Sequence, residues 1–206
     1  MKYHIELDKL ILNVDDNNII KTIEETKKIK NKCDKSNLIL VLYYNDKLIN
    51  KKSDKYSKEL NDLIEIKDAI NIKNLEDRYN FIYDTVCKKL DDRIINENYC
   101  EFENDMCIKS RKENTNHKNG CCEWEGRGKC KYLIDSVCTM KTCMACKLFT
   151  CKFLLKEKGI RQRPNDYPLV KYFFNNNQKY ILECSFWTPK EIVMKRLLNN
   201  KYNIKE

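Results

Sequence analysis

The spacing of apolar residues predicts that the chain begins with strands around a helix and continues mainly as helices. Tyr3, Ile5 and Leu7 alternate with polar residues as in a half-buried strand, and residues 38–44 form an apolar run of strand length. Isoleucines recur between them, over residues 19–29, in a Lys- and Glu-rich stretch that suits an amphipathic helix. A strand, helix, strand unit is therefore expected at the start of the chain.

From residue 53 the apolar spacing becomes helical. Ser53 or Asp54 is suited to cap a first helix, and Asn74 is suited to cap a second one, in which Glu76 and Asp77 would oppose the helix dipole. The second helix carries one continuous apolar stripe, formed by Leu75, Tyr79, Ile82, Val86, Leu90 and Ile94. Such a stripe is typical of core packing rather than of a binding site.

The last quarter of the chain is again predicted to be helical. A helix that begins after Cys146 is expected to end at Gly159, because glycine adopts the left-handed conformation without strain. Thr188, followed by a proline and by Glu191 three residues on, predicts the start of the final helix. Between these helices, the Arg-Gln-Arg run at 161–163 is expected to be a solvated connector, with a phosphate contact as the alternative.

Cysteines are concentrated in the middle of the chain, where helical periodicity is missing. Three of the twelve are scattered and are expected to pack as small buried hydrophobes: Cys33, Cys87 and Cys184. The other nine lie between residues 100 and 151: Cys100, Cys107, Cys121, Cys122, Cys130, Cys138, Cys143, Cys146 and Cys151. Such a density indicates either cross-linked thiols or metal ligands.

The expected compartment favours metal over disulfides. The first residues alternate apolar with charged side chains, so no secretory signal is expected, and the longest apolar run, 38–44, is far shorter than the roughly 18 residues of a membrane span. We therefore expect a cytosolic protein without a membrane segment, in which thiols stay reduced. Structural disulfides and unliganded or redox-active thiols remain the alternatives.

One pair of these cysteines has the spacing of a metal-binding turn. In Cys143-Met-Ala-Cys146 two thiolates can converge from a turn or a helix start, as they do in zinc knuckles and iron–sulfur loops. Cys138 and Cys151 lie five residues to either side, which strengthens the prediction of metal without deciding which metal. His117 is expected to be a substituted ligand or a solvated loop residue, and a Cys–His nucleophile is disfavoured.

Positive charge accompanies the cysteines. Residues 107–163 contain 14 Lys and Arg against 5 Asp and Glu, an excess that equals the whole net charge of +9. A basic patch is typical of a polyanion surface. However, a divalent ion held by four thiolates carries a formal charge of −2, so compensation of anionic metal sites explains the excess at least as well.

The order of several cysteines is similar to that of a known family. Gly120-Cys121-Cys122 is followed by Cys130-Lys-Tyr-Leu133, then Cys138, then Cys146-Lys-Leu-Phe149. Over these roughly 30 residues the chain resembles the bacterial zinc- or iron-chelating cysteine-cluster proteins, the YkgJ-like group. It lacks that group's C-x2-C before the adjacent pair and its Arg-Pro before the late cysteine. The resemblance implies metal binding at the five matched cysteines and lends no reaction; the whole chain also resembles cysteine-rich proteins of low-GC bacteria.

These patterns predict an α+β protein that is predominantly helical, with a cysteine-rich, metal-stapled central segment between helical flanks. One compact unit is expected, built from a mixed segment (1–50), a helical segment (51–98), the metal-binding segment (99–152) and a C-terminal helical segment (153–206). We expect a cytoplasmic protein that holds zinc or an iron–sulfur cluster in a structural role, or in an interaction with a protein partner.

Two alternatives remain open, an iron–sulfur redox protein or enzyme component, and a less favoured metal-stabilised nucleic-acid binder. The sequence contains no Gly-rich phosphate loop, no G-x-S-x-G and no H-E-x-x-H motif, so it does not decide whether the protein is an enzyme.

Overall fold

A computed structural model describes residues 2–97, 143–150 and 152–203, together with six two-residue strands between residues 102 and 138. The protein is mixed α/β and predominantly helical, as the sequence predicts. The chain divides into two compact units. The first unit comprises Met1–Ile82 and Asn165–Asn177, and the second comprises Tyr83–Pro164 and Gln178–Glu206.

The first unit contains a four-stranded sheet. Its strands, in spatial order, are β1 (Lys2–Glu6), β2 (Lys9–Val14), β3 (Ile39–Tyr44) and β4 (Lys47–Leu48). β2 and β3 are parallel, and the two outer pairs are antiparallel. The sequence prediction missed β2, and it wrongly extended the first strand to Leu7, which lies in a turn with φ 54° and is 90% exposed.

Helices connect the two parallel strands, because parallel neighbours cannot be joined by a tight turn. The single helix expected here is two, α1 (Ile19–Glu24) and α2 (Thr26–Lys35), with Glu25 between them. The next helix, α3 (Lys58–Asn71), is capped by Ser57, whose hydroxyl accepts from the Leu60 N–H at 3.1 Å. The predicted caps Ser53 and Asp54 lie upstream of this helix, so those assignments were wrong.

Side chains at the end of α3 complete the sheet and the core. Asn71 pairs with both backbone groups of Leu40, accepting from its N–H at 2.7 Å and donating to its carbonyl at 2.9 Å. In this way a side chain satisfies the hydrogen-bonding groups of the β3 backbone at a position that β4 does not pair with. Nearby, the buried Arg78 guanidinium donates twice to Asp34, at 2.8 and 3.2 Å, and to the backbone carbonyl of Ile72.

The long helix α4 (Leu75–Glu97) contains the boundary between the two units. Asn74 caps it as predicted, since its Oδ1 accepts from the Asp77 N–H at 3.0 Å. Most of the predicted stripe is buried, but Leu75 is 48% exposed, and the side chain of Ile94 lies outside the described residues.

From residue 143 onward the described residues are mainly helical, as predicted. The helices are α5 (Met144–Leu148), α6 (Lys152–Glu157), α7 (Pro168–Phe173), α8 (Asn176–Cys184) and α9 (Lys190–Asn199), with a 3-10 turn at Pro164–Asp166. Gly159 has φ 62°, which confirms the predicted left-handed position after α6. Thr188 does not cap α9; its hydroxyl donates to the Phe186 carbonyl instead.

In the described part of the chain, no helix combines the length and the apolar character that a membrane span requires.

Candidate metal centre

The structure describes the side chains of two of the nine predicted ligands, Cys143 and Cys146. The backbones of two others lie in short hairpins, Cys107 opposite Phe102 and Cys138 opposite Leu133. The remaining predicted ligands and His117 lie outside the described residues: Cys100, Cys121, Cys122, Cys130 and Cys151.

The C-x2-C pair is at the start of α5 in the second unit. Cys143 immediately precedes the helix and is fully buried, whereas Cys146, one turn on, is partly exposed. Both the thiol and the backbone N–H of Cys146 donate hydrogen bonds to the Cys143 sulfur. The two sulfurs are therefore close enough to share a hydrogen bond.

The loop between α8 and α9 closes over the same sulfur. The consecutive backbone N–H groups of Trp187 and Thr188 donate to Cys143 Sγ. Trp187 has φ 54°, a conformation that costs a non-glycine residue energy and that directs successive N–H groups toward one point. When Cys143 is protonated, its thiol donates a hydrogen bond to the Ser185 carbonyl oxygen at 3.5 Å. The loop thus forms a small concavity suited to an anion.

These donors make Cys143 electrostatically unlike the other described thiols. A hydrogen bond from the Cys146 thiol lowers the pKa of Cys143 to about 6. Burial opposes this effect, and three backbone N–H groups add to it. Burial instead raises the pKa of Cys87 to about 12, and it also raises that of Cys33. Cys33 and Cys87 are buried, as predicted for packing residues, whereas Cys184 is only half-buried.

Residues from the middle of α4 onward hold the C-x2-C helix in place. Tyr83, which is buried, accepts the otherwise unsatisfied Met144 N–H at 3.0 Å. Lys147, also buried, forms an ion pair with Asp91, which lies about two turns after Tyr83 on α4. These contacts fix the start of α5, so the geometry around Cys143 is set by its neighbours rather than by its own flexible backbone.

A second set of contacts holds the loop that donates to the thiolate. Arg196 of α9 donates to the Ser185 hydroxyl at 3.2 Å, and its guanidinium lies 4.8 Å from the centre of the Tyr202 ring. The rings of Phe186 and Trp187 contact each other with centroids 5.7 Å apart. The loop is therefore anchored at Ser185, just before the two N–H groups that face Cys143.

Sequence reasoning missed the partners of the C-x2-C pair. Tyr83 lies four residues after Tyr79, so helical spacing could have placed it on the buried face of α4. The contributions of Trp187 and Thr188 come from backbone N–H groups more than forty residues away, and no side-chain pattern reports those.

Two thiolates cannot complete a metal site alone. Structural zinc and iron–sulfur sites take four protein ligands, of which cysteine is the commonest type. Among the residues that the structure describes, no group of three or more His, Cys, Asp and Glu side chains is placed to hold a metal ion. The donor chemistry of Cys143 and Cys146 fits half of such a site.

The chain was also compared with known proteins. It matches no protein-family model, no curated protein and no solved structure, so the interpretation of the site rests on its own residues and geometry.

Proposed function

We propose that this protein binds zinc or an iron–sulfur cluster in the cytosol, with Cys143 and Cys146 as two of its thiolate ligands. The observation that carries the proposal is the set of hydrogen bonds that converge on Cys143 in a fully buried position. Metals bind thiolates rather than thiols, and hydrogen bonds to the sulfur orient the ligand and stabilise its charge. The Cys146 thiol and three backbone N–H groups of the chain supply those donors.

Burial favours a ligand over a reactive thiol. A redox-active or nucleophilic cysteine combines a low pKa with access to solvent. Cys143 has the lowered pKa, but its side chain is 0% exposed, so a substrate could not reach its sulfur without opening the loop at Trp187. A buried anion of this kind is stabilised by a bound cation, which is what a metal site provides.

The missing ligands belong, in this proposal, to the other cysteines of the central segment. The resemblance to zinc- or iron-chelating cysteine-cluster proteins supports Cys121, Cys122, Cys130 and Cys138 as candidates. Metal would then order a stretch with little apolar periodicity of its own, because binding free energy at a structural site becomes folding free energy. The positive excess over residues 107–163 would offset the charge of such thiolate sites.

The role that follows is structural, or supports interaction with a partner protein. An iron–sulfur redox protein or enzyme component is the alternative, and the identity of the metal separates the two. A zinc site gives a colourless protein whose thiols are inert to oxidation, whereas an iron–sulfur cluster gives a brown, oxygen-sensitive protein with equal amounts of iron and acid-labile sulfide.

The test is metal analysis of protein purified without oxygen. Zinc, iron and acid-labile sulfide are measured in the wild type and in Cys143→Ser and Cys146→Ser. We expect bound metal in the wild type and a marked loss in both variants. Cys87→Ala is the matched control, because Cys87 is a buried thiol of the same unit whose pKa is raised rather than lowered.

Two results would contradict the proposal. One is a wild-type protein that contains no metal when it is purified with zinc and iron present. The other is full metal content in Cys143→Ser and Cys146→Ser, which would remove the C-x2-C pair from the ligand set.

A further inference from the structure

A cavity of about 400 Å³ lies in the second unit, beside the C-x2-C helix α5. Its apolar wall includes Leu148, Phe149 and Phe186, and its polar residues include Arg161, Gln162 and Thr150. Pockets that take small organic ligands have this size and this combination of an apolar wall with a few polar groups. The cavity therefore has the dimensions of a small-molecule site.

The apolar wall offers aromatic rings to a flat ligand. The ring centroids of Phe149 and Phe186 are 5.9 Å apart, and the rings are nearly perpendicular, at 79°. Phe149 is 44% exposed, which is unusual for a large apolar side chain beside a cavity. A planar body can stack on one ring while its edge meets the other.

One polar group in the lining lacks a hydrogen-bond donor. Gln162 is 7% exposed, and its backbone N–H donates to the Thr150 hydroxyl at 3.2 Å, which holds the residue in place. Its side-chain Oε1 is buried, and no described residue donates to it. A buried carbonyl oxygen without a partner costs stability, and a rotation of the Gln162 side chain toward the cavity would let a ligand N–H group donate to it.

Two cations complete the lining. Arg161 and Arg163 are exposed and flank Gln162, and Glu183 is the acidic residue among the lining side chains. Among the described residues, none forms a hydrogen bond or ion pair with the Arg161 guanidinium. Guanidinium groups match phosphate oxygens in geometry as well as in charge.

We propose that this cavity binds a nucleoside monophosphate, with the base against Phe149 and Phe186, a base N–H on Gln162 Oε1, and the phosphate on Arg161 and Arg163. The amide of a glutamine can form hydrogen bonds with the edge of a base. Any base can stack on an aromatic ring, and the arginines would bind the phosphate. A nucleoside monophosphate carries a planar base, base N–H groups and a phosphate, so it uses all three features of the lining. The described lining contains no cysteine, although the cavity shares α5 and the loop at Phe186 with the C-x2-C pair, so metal content is followed in every binding experiment.

The test measures binding of AMP, GMP, CMP and UMP by titration calorimetry to the full chain, purified with its metal. At least one should bind with Kd below about 1 mM, the upper end of the range common for small substrates. Adenosine and inorganic phosphate should each bind at least about tenfold more weakly than the best monophosphate, because each lacks part of the recognised chemistry.

A matched pair of variants tests the position of the site. Arg161→Gln should weaken binding at least about tenfold, the usual effect of losing a charged hydrogen bond. Lys158→Gln is the control, because Lys158 is an exposed cation three residues away that does not line the cavity. It should leave Kd within about twofold, since exposed charges interact weakly through solvent. A short single-stranded oligonucleotide that binds with the same Arg161 dependence would show that the nucleotide is read within a strand.

Three results would overturn the proposal: no binding by any monophosphate at 1 mM, inorganic phosphate binding as tightly as the nucleotides, or equal losses in Arg161→Gln and Lys158→Gln. Metal content is measured on the same samples. A protein that holds metal but binds no nucleotide would refute this site alone, and the reverse result would refute only the metal proposal.

Discussion

The lowered pKa of Cys143 makes a specific prediction for the metal-free, reduced protein. A thiol whose folded-state pKa lies below its unfolded-state pKa adds stability when the pH is above the unfolded value, and loses that contribution as the pH falls through the folded value. For Cys143 the window extends from about 6 in the folded state to about 8.5 in the unfolded chain. Stability should therefore rise with pH across this window.

The size of the effect follows from the two pKa values. Each pH unit between them is worth at most about 1.4 kcal/mol. Between pH 6 and pH 8, allowing for the half-ionised thiol at the lower end, the contribution of Cys143 grows by about 2 kcal/mol. Cys87 provides the contrast, because its raised pKa keeps it protonated in the folded protein throughout this range.

The assay is urea unfolding of the wild type, Cys143→Ala and Cys87→Ala, each reduced and stripped of metal, at pH 6 and pH 8. Tryptophan fluorescence is a suitable probe, since Trp187 lies in the loop that donates to the thiolate. The stability difference between the wild type and Cys143→Ala should widen by about 2 kcal/mol at the higher pH. If the stability difference between the wild type and Cys143→Ala were the same at both pH values, Cys143 would not be a thiolate. If the difference between the wild type and Cys87→Ala widened by a similar amount, the effect would belong to another group.

Three further outcomes are expected. Stripping the metal with a chelator should open residues 100–142 to protease and hydrogen exchange, while Met144–Leu148 stays protected by its contacts with α4; uniform protection with and without metal would contradict the linkage of metal and fold. Asp34→Ala should lower the free energy of unfolding by about 3 kcal/mol because it leaves the buried Arg78 charge without its partner. Lys30→Ala, which removes the other cation beside the same carboxylate, should cost no more than about 0.5 kcal/mol, and equal losses would show that burial of Arg78 is unimportant. Polynucleotides should bind only weakly and without sequence preference at 0.15 M salt, with Kd about 10⁻⁴ to 10⁻⁶ M; a selective submicromolar complex would show that the basic excess serves nucleic acid.

Sequence reasoning worked best where neighbours along the chain decide the structure. The cap at Asn74 and the left-handed Gly159 depend on residues within one helical turn, and both are present. It failed at β2, where Leu10, Ile11 and Leu12 form a short apolar run. Such a run does not reveal its structure by periodicity, because strands buried on both faces and buried helical turns look alike.

The candidate site shows the same division. The prediction of a metal site rests on cysteine density and on the C-x2-C spacing, which are features that lie along the chain. Nothing in the spacing separates Cys143 from Cys87, yet one thiol has a lowered pKa and the other a raised one. The difference comes from hydrogen bonds donated by Cys146 and by the backbone of Trp187 and of its neighbour.

The sequence by itself therefore determined the helical character of the flanks, the packing role of Cys33 and the residues eligible to bind metal. Only the tertiary structure decided which thiol has a lowered pKa. It also placed Arg161 and Gln162 in the lining of a cavity, where the sequence predicts a solvated connector. The physical reason is range. Periodicity and capping are set by residues three or four positions apart, whereas the pKa and burial of a side chain depend on groups that the fold brings from distant parts of the chain.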